Sequence, residues 1–180
     1  WTWDAGLERD DGTWLASAVV FERHEEDLID WARPAGSDAP WQVRNVAEGL
    51  ARGFELATGW RHPRGHRVDL GYQVLHRETD FAPDTEAKYE LIAPRHHLTG
   101  AMLAVLPHDL TAAVTGRWIE RTGGPADFRE YAVLDVRVRW RRDPVALTLD
   151  VLNVLDRRYA EVPGAVLPGR MVVGGAEVAF

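Results

Sequence analysis

The chain has 180 residues, a formal net charge of −7 and 46% hydrophobic residues, enough for one domain with a sizeable core. Its cations are almost all arginine, with Lys88 the single lysine, and they do not cluster, which argues against a nucleic-acid footprint. Cysteine is absent, which excludes disulfides and thiol chemistry, and no apolar run approaches the ~20 residues of a spanning helix, so any membrane crossing falls to strands.

The dominant period along the chain is two. Nine alternating segments are expected, at about 1–9, 13–27, 44–61, 66–78, 96–106, 110–121, 130–141, 145–155 and 170–180. The first opens on Trp1-Thr2-Trp3-Asp4, with no methionine, basic stretch or apolar leader, which reads as a start partway through a protein. In the fourth, Asp69 and Gln73 occupy the polar side of Val68 to Val74. In the sixth, Thr111, Thr115 and Arg117 do the same between Leu110 and Trp118. The seventh, Leu134-Asp135-Val136-Arg137-Val138-Arg139-Trp140, sets Leu, Val, Val and Trp against Asp, Arg and Arg. The last puts Val172, Gly174, Ala176, Val178 and Phe180 on one face and Glu177 on the other. Many of these segments suit the ~9–11 residues that cross a bilayer at a tilt.

Connections alternate in length. Short turns at Asp10-Asp11-Gly12, His62-Pro63-Arg64-Gly65, Pro107-His108-Asp109 and Arg142-Asp143-Pro144 separate long loops at about 28–43, 79–95, 122–129 and 156–169. An outer-membrane barrel keeps periplasmic turns tight and extracellular loops long, whereas a soluble sandwich has no reason to. With short turns on the periplasmic side, the final strand descends from the outer surface and ends at Phe180. Trp3, Trp14, Trp60, Trp118 and Trp140 then fall near strand ends, as an interfacial aromatic girdle requires. Asp69, Arg117, Asp135, Arg137, Arg139, Asp150 and Glu177 would be costly in a dry core but suit a hydrated lumen. Alternation alone also fits a soluble sandwich with its charges outside. Strand length and loop asymmetry favour an all-β, antiparallel, up-and-down transmembrane β-barrel portion of about nine meandering strands, spanning residues 1–180.

Asn153-Val154-Leu155-Asp156-Arg157-Arg158-Tyr159, then Glu161-Val162-Pro163-Gly164, Pro168-Gly169-Arg170 and a terminal aromatic, resemble the C-terminus of TonB-dependent outer-membrane receptors. Upstream, Leu134 to Val138 is similar to the family's third-from-last strand, and Asn45 with Gly53-Phe54-Glu55-Leu56 to its "N…GxE" strand. Pro94-Arg95-His96 resembles a later strand entry. Asp27-Leu28-Ile29-Asp30-Trp31, followed by Trp41 and Asn45, is similar to cobalamin-type receptors and their relatives. The resemblance implies the last nine strands of a barrel of about twenty-two. It also implies a location in the outer membrane of a Gram-negative bacterium and active uptake of a small scarce nutrient, cobalamin ahead of a ferric siderophore. Uptake would be powered by the TonB energy-coupling complex acting on a plug domain. The plug and the TonB box are missing from these residues, and nine is an odd strand count, so this sequence alone should not perform gated transport. Gly175, Val178 and Phe180 resemble the signal read by the barrel-assembly machinery.

Two further readings remain beside this one: a free-standing small barrel acting as a passive pore or structural protein, and a soluble all-β binding module. No nucleophile-and-base arrangement accompanies the carboxylates Glu25, Glu26, Asp27 and Asp30, so no enzyme is expected. His62 and His66 flank a turn, and His96 and His97 point to opposite faces of a strand, so no metal site is expected and no cofactor is implied. Ligand contacts are expected from the outer loops at Trp31, Arg33, Trp41, Tyr89, Phe128, Tyr131, Arg157 and Tyr159. Aromatics stack on planar or macrocyclic ligands, and arginines pair with acidic groups.

Overall fold

The structure is a computed structural model, and it describes residues 1–88 and 92–180. In chain order the elements are β1 (Thr2–Asp10), β2 (Trp14–Pro34), β3 (Gln42–Arg61), β4 (Arg67–Phe81), β5 (Thr85–Ala87), β6 (Pro94–Leu106) and β7 (Leu110–Arg121). A one-turn helix α1 (Ala126–Arg129) follows, then β8 (Glu130–Arg142), β9 (Val145–Leu152), β10 (Ala160–Val162), β11 (Ala165–Val166) and β12 (Met171–Val178). The long strands form one antiparallel meander in the order β1-β2-β3-β4-β6-β7-β8-β9-β12. Among the described residues β1 and β12 do not pair, so this is an open portion of a barrel wall.

The short turns are fixed by local chemistry. Asp11 accepts hydrogen bonds from the Thr13 and Trp14 N–H groups at 3.1 and 2.8 Å, with Gly12 at φ 83° between them. Those bonds favour the anion and hold the Asp11 carboxyl below the usual carboxylate range. His108 and Asp109 both take positive φ, as a primed hairpin turn requires. At the opposite end the connections are long and carry structure of their own.

There the strands run further than the alternation predicts. Residues 28–34 and 42–43, expected in a loop, continue the β2–β3 ladder through Ala32↔Gln42. Two irregularities permit this, at Glu25/Leu28 and Leu28/Ile29, with Asp27 at φ 55°. A bulge breaks strict alternation and so hides a strand from a period-two reading. The Asn45 amide donates to Asp27 at 3.0 Å and fastens the irregular segment. The expected 79–95 loop contains β5, which returns to pair with β2 through Ala32↔Ala87 and Pro34↔Thr85. It thereby covers a strand edge that would otherwise be open. The 156–169 loop contains the β10–β11 pair. β9 stops at Leu152, short of the expected 155, because Asn153 turns to φ 50°.

Gly53 shows why its motif needs glycine. A Cβ there would lie 2.1 Å from the Val74 carbonyl oxygen and 3.0 Å from the Phe21 ring, which lies across it from the facing β2 position. Only a bare backbone admits the ring and the neighbouring strand together.

Candidate functional site

The sheet has two chemically opposite faces. Register places Arg137 opposite Asp150, Thr115 opposite Asp135 and Glu55 opposite Gln73, all on one side. Arg137 and Asp150 are bonded at 2.5 Å, Arg139 reaches Glu177 at 3.1 Å, and the Gln73 amide donates to Glu55 at 2.9 Å. Along β2 this polar side is the sheltered one: Leu15, Ser17 and Val19 are half-buried and Phe21 is buried.

The other face is apolar and open. Val20, Leu56, Leu70, Leu98, Met102, Leu147 and Leu149 stand 44–50% exposed on neighbouring strands. Burying apolar surface is the main force that folds a chain in water, so an apolar face this broad marks a surface that lipid or another protein surface covers. Aromatic side chains rim it. Trp14 and Trp60 pair across β2 and β3 beside the short turns, with ring centroids 6.3 Å apart. Toward the long loops, Tyr72 donates to or accepts from His96 at 2.8 Å, His96 stacks on Trp118, and the Trp118 indole donates to Glu130 at 3.2 Å. On β7 the outward side chains run from Leu110 to Trp118. That is about 27 Å of strand, or about 20 Å of height at a ~40° tilt, close to the apolar band of an outer-membrane barrel.

The long-loop end holds the predicted ligand residues in two groups. In the first, Arg33 donates two bonds to Glu86 at 3.0 and 3.1 Å and stacks on Trp41 at 4.4 Å, with Trp31 beside it on β2 and 45% exposed. The Arg33 guanidinium holds the Glu86 carboxyl below the usual carboxylate range. In the second, Phe128, Tyr131 and Tyr159 lie together under the loops. Tyr131 and Tyr159 rings are 4.8 Å apart, packed with Ile119, Val133 and Leu167. Phe128 and Tyr131 are buried, positions that shape the loops from beneath. Burial also pushes the Tyr159 phenol up, so it stays neutral as it accepts from Arg117 at 3.4 Å. Arg157 is exposed and donates to the Glu130 carbonyl at 3.2 Å. Tyr89 lies outside the described residues.

The last loop is held by the motif that marks it. Asn153, 3% exposed, donates to the carbonyls of Arg157 and Pro168 at 2.8 and 3.3 Å and accepts from the Arg157 N–H at 2.9 Å. Its own N–H donates to Asp135 on β8 at 2.7 Å. Asp156 accepts from the Arg170 N–H at 2.8 Å, and a Cβ on Gly169 would meet that carboxylate at 2.6 Å. Asn153, Asp156, Gly169 and Arg170 are therefore one knot, drawn from both ends of the motif.

β12 pairs with β9 from Met171↔Leu152 to Val178↔Val145. Val178 is exposed on it and Phe180 just beyond it, and Gly175 faces Thr148. At the short turns, the His62 and His66 Nδ1 atoms accept from the N–H groups of Arg64 and Val105 at 3.2 and 3.1 Å. Among the described residues no three metal-binding side chains converge.

A family model described as "TonB dependent receptor-like, beta-barrel" matches residues 1–154. The chain belongs to this family. Solved structures agree on the fold. The FrpB iron transporter from Neisseria meningitidis superposes with a TM-score of 0.70 at 21% identity, over 99% of this chain and 30% of its own. The ferric yersiniabactin uptake receptor FyuA from Yersinia pestis gives 0.70 at 19% identity, over 99% and 29%. FpvA of P. aeruginosa, bound to a heterologous ferric pyoverdine, gives 0.73 at 17% identity, over 99% and 27%. The chain thus spans under a third of the length of these proteins. No curated protein matches the sequence.

The ladder of β7, β8 and β9 was legible from the alternation. The partners of the loop residues were not. Glu86 lies 53 positions from Arg33, and nothing in the local pattern of either marks the other.

Proposed function

We propose that this chain is the C-terminal part of the barrel of an outer-membrane TonB-dependent receptor that takes up a scarce nutrient, cobalamin or a ferric siderophore. The observation that carries this reading is a sheet with an exposed, aromatic-rimmed apolar face backed by a charged face. The apolar side meets outer-membrane lipid of a Gram-negative bacterium, and the charged side lines the hydrated lumen. Trp31, Arg33, Trp41, Arg157 and Tyr159 face or frame the ligand at the long-loop end, and Phe128 and Tyr131 support the loops that hold it. Energy for uptake comes from the TonB complex acting on a plug domain. Gly175, Val178 and Phe180 present the final strand to the barrel-assembly machinery, where an exposed edge suits strand addition.

The test is uptake. Cells carrying the full-length gene should accumulate radiolabelled iron chelates or cobalamin from nanomolar solution, and deletion of the gene or of tonB should abolish that accumulation. Uptake that survives loss of TonB and scales linearly with concentration would instead assign a passive pore.

A further inference from the structure

Positive charge collects on the inner wall below the long loops. Arg77, on β4, pairs with Glu25, and Arg117, on β7, reaches Glu161 at 2.5 Å, so these two are answered. Arg95 and Arg121 are different. They are neighbours across the β6–β7 ladder, where Arg121 faces Pro94 and the register slips at Arg95. Among the described residues neither meets a carboxylate.

Arg121 is only 7% exposed. Its guanidinium donates to the Phe128 carbonyl at 2.6 Å and lies 4.2 and 5.6 Å from the ring centres of Phe128 and Tyr131, while its Nε has no hydrogen-bond partner. A carbonyl and two ring faces soften the penalty of burying the charge but do not neutralise it. Beside it a cavity of about 630 Å³ opens at the long-loop end, lined by Thr79, Phe81, Arg95, Thr122 and Gly123 among others. Among the described residues its one acidic lining residue, Glu86, is already bonded to Arg33. What remains is an exposed arginine and threonine hydroxyls on the cavity wall, and a buried cation next to Thr122 in the chain.

We propose that this cavity is an anion-selective subsite, in which Arg95 contacts and Arg121 electrostatically favours a ligand of net negative charge bearing carboxylate or catecholate oxygens. The proposal rests on the receptor reading above and narrows it: a negatively charged metal chelate fits this wall, and a neutral corrinoid or neutral trihydroxamate chelate does not. Arg95 supplies a charge-assisted bond, while Arg121 acts through the field it projects into a partly desolvated space.

The experiment is equilibrium binding to the full-length protein in outer-membrane vesicles, with three probes: a ferric tris-catecholate, a neutral ferric trihydroxamate and cyanocobalamin. The tris-catecholate should bind at least tenfold more tightly than either neutral probe, and salt should weaken it. Arg95→Gln should cost that probe about ten- to hundredfold, the range for a bond to a charged group, and leave neutral probes unchanged. Arg64→Gln, in a short turn, is the control and should change nothing. Arg121→Gln should reduce the salt dependence; if it fails to assemble, the exposed Arg95 variant still decides. Preference for a neutral probe, or an Arg95→Gln protein that binds like wild type, overturns the anion assignment and leaves the receptor reading intact. In the latter case the guanidinium is spent on another part of the protein. Binding of no chelate of any charge overturns both.

Discussion

Replacing Asn153 tests whether the motif near the C-terminus is a structural knot. In Asn153→Ala the side chain loses one bond accepted from the Arg157 N–H at 2.9 Å and two donated to carbonyls at 2.8 and 3.3 Å. At a net ~1 kcal/mol per good bond, and less for the longest, the loss is about 2–2.5 kcal/mol. Alanine must also hold φ 50°, a left-handed conformation that asparagine tolerates and alanine resists by about 1 kcal/mol. The sum is about 3 kcal/mol, equivalent to about a hundredfold rise in the open population of the loop. Glycine removes the backbone part, so Asn153→Gly should be milder by up to about 1 kcal/mol, less whatever glycine gains in unfolded-chain entropy. The assay is native-state trypsin cleavage after Arg157 and Arg158 in the membrane-inserted protein, read in the regime where cleavage reports the open population. Cleavage of Asn153→Ala within threefold of wild type would refute the knot. An Asn153→Gly protein opening more than Asn153→Ala would refute the backbone contribution.

The two-faced sheet predicts that position along a strand matters less than parity. Val114→Arg, pointing into lipid at mid-strand, should destabilise the folded protein in vesicles by about 2–4 kcal/mol in urea titrations. Thr115→Arg, facing Asp135 in the lumen, should cost under 1 kcal/mol; equal costs would remove the basis for assigning the faces. The Arg33–Glu86 clasp predicts a pH dependence. Because Glu86 is depressed in the folded state, its contribution is complete above the ordinary glutamate range and is lost as pH falls through the depressed value. Proteolytic protection of the β5 segment should therefore persist at neutral pH and fall in acid, and Arg33→Gln should abolish the step. Protection that is pH-independent in wild type would show that β5 is held by its backbone pairing alone. Finally, lipids brominated near the headgroup should quench Trp14 and Trp60 more than lipids brominated at the bilayer centre; the reverse ranking would contradict their placement at the rim.

The sequence by itself determined the wall. Alternation from Leu134 to Trp140 and from Val145 to Val151 dictates which side chains share the apolar face, because successive residues of a strand point to opposite faces. Alternating connection lengths then assign the two ends of the sheet. The Asn153-to-Arg170 motif was visible through its resemblance to a family pattern, and its side-chain bonds close within one loop while the Asn153 N–H reaches Asp135 on β8. Tertiary structure decided the long-loop end. The β2–β3 extension passes through an irregular stretch at Asp27 that scrambles the period, and β5 answers an edge in β2 far back along the chain. Whether an arginine is answered also depends on distant partners: Arg33 finds Glu86, Arg117 finds Glu161, and among the described residues Arg121 finds a carbonyl and two rings. In sequence Arg117 and Arg121 are each an arginine on the same alternating strand, and Arg33 is an arginine in a long loop. The difference lies in which loop folds over each of them, and loop paths follow from packing and charge across the fold, which no local pattern encodes.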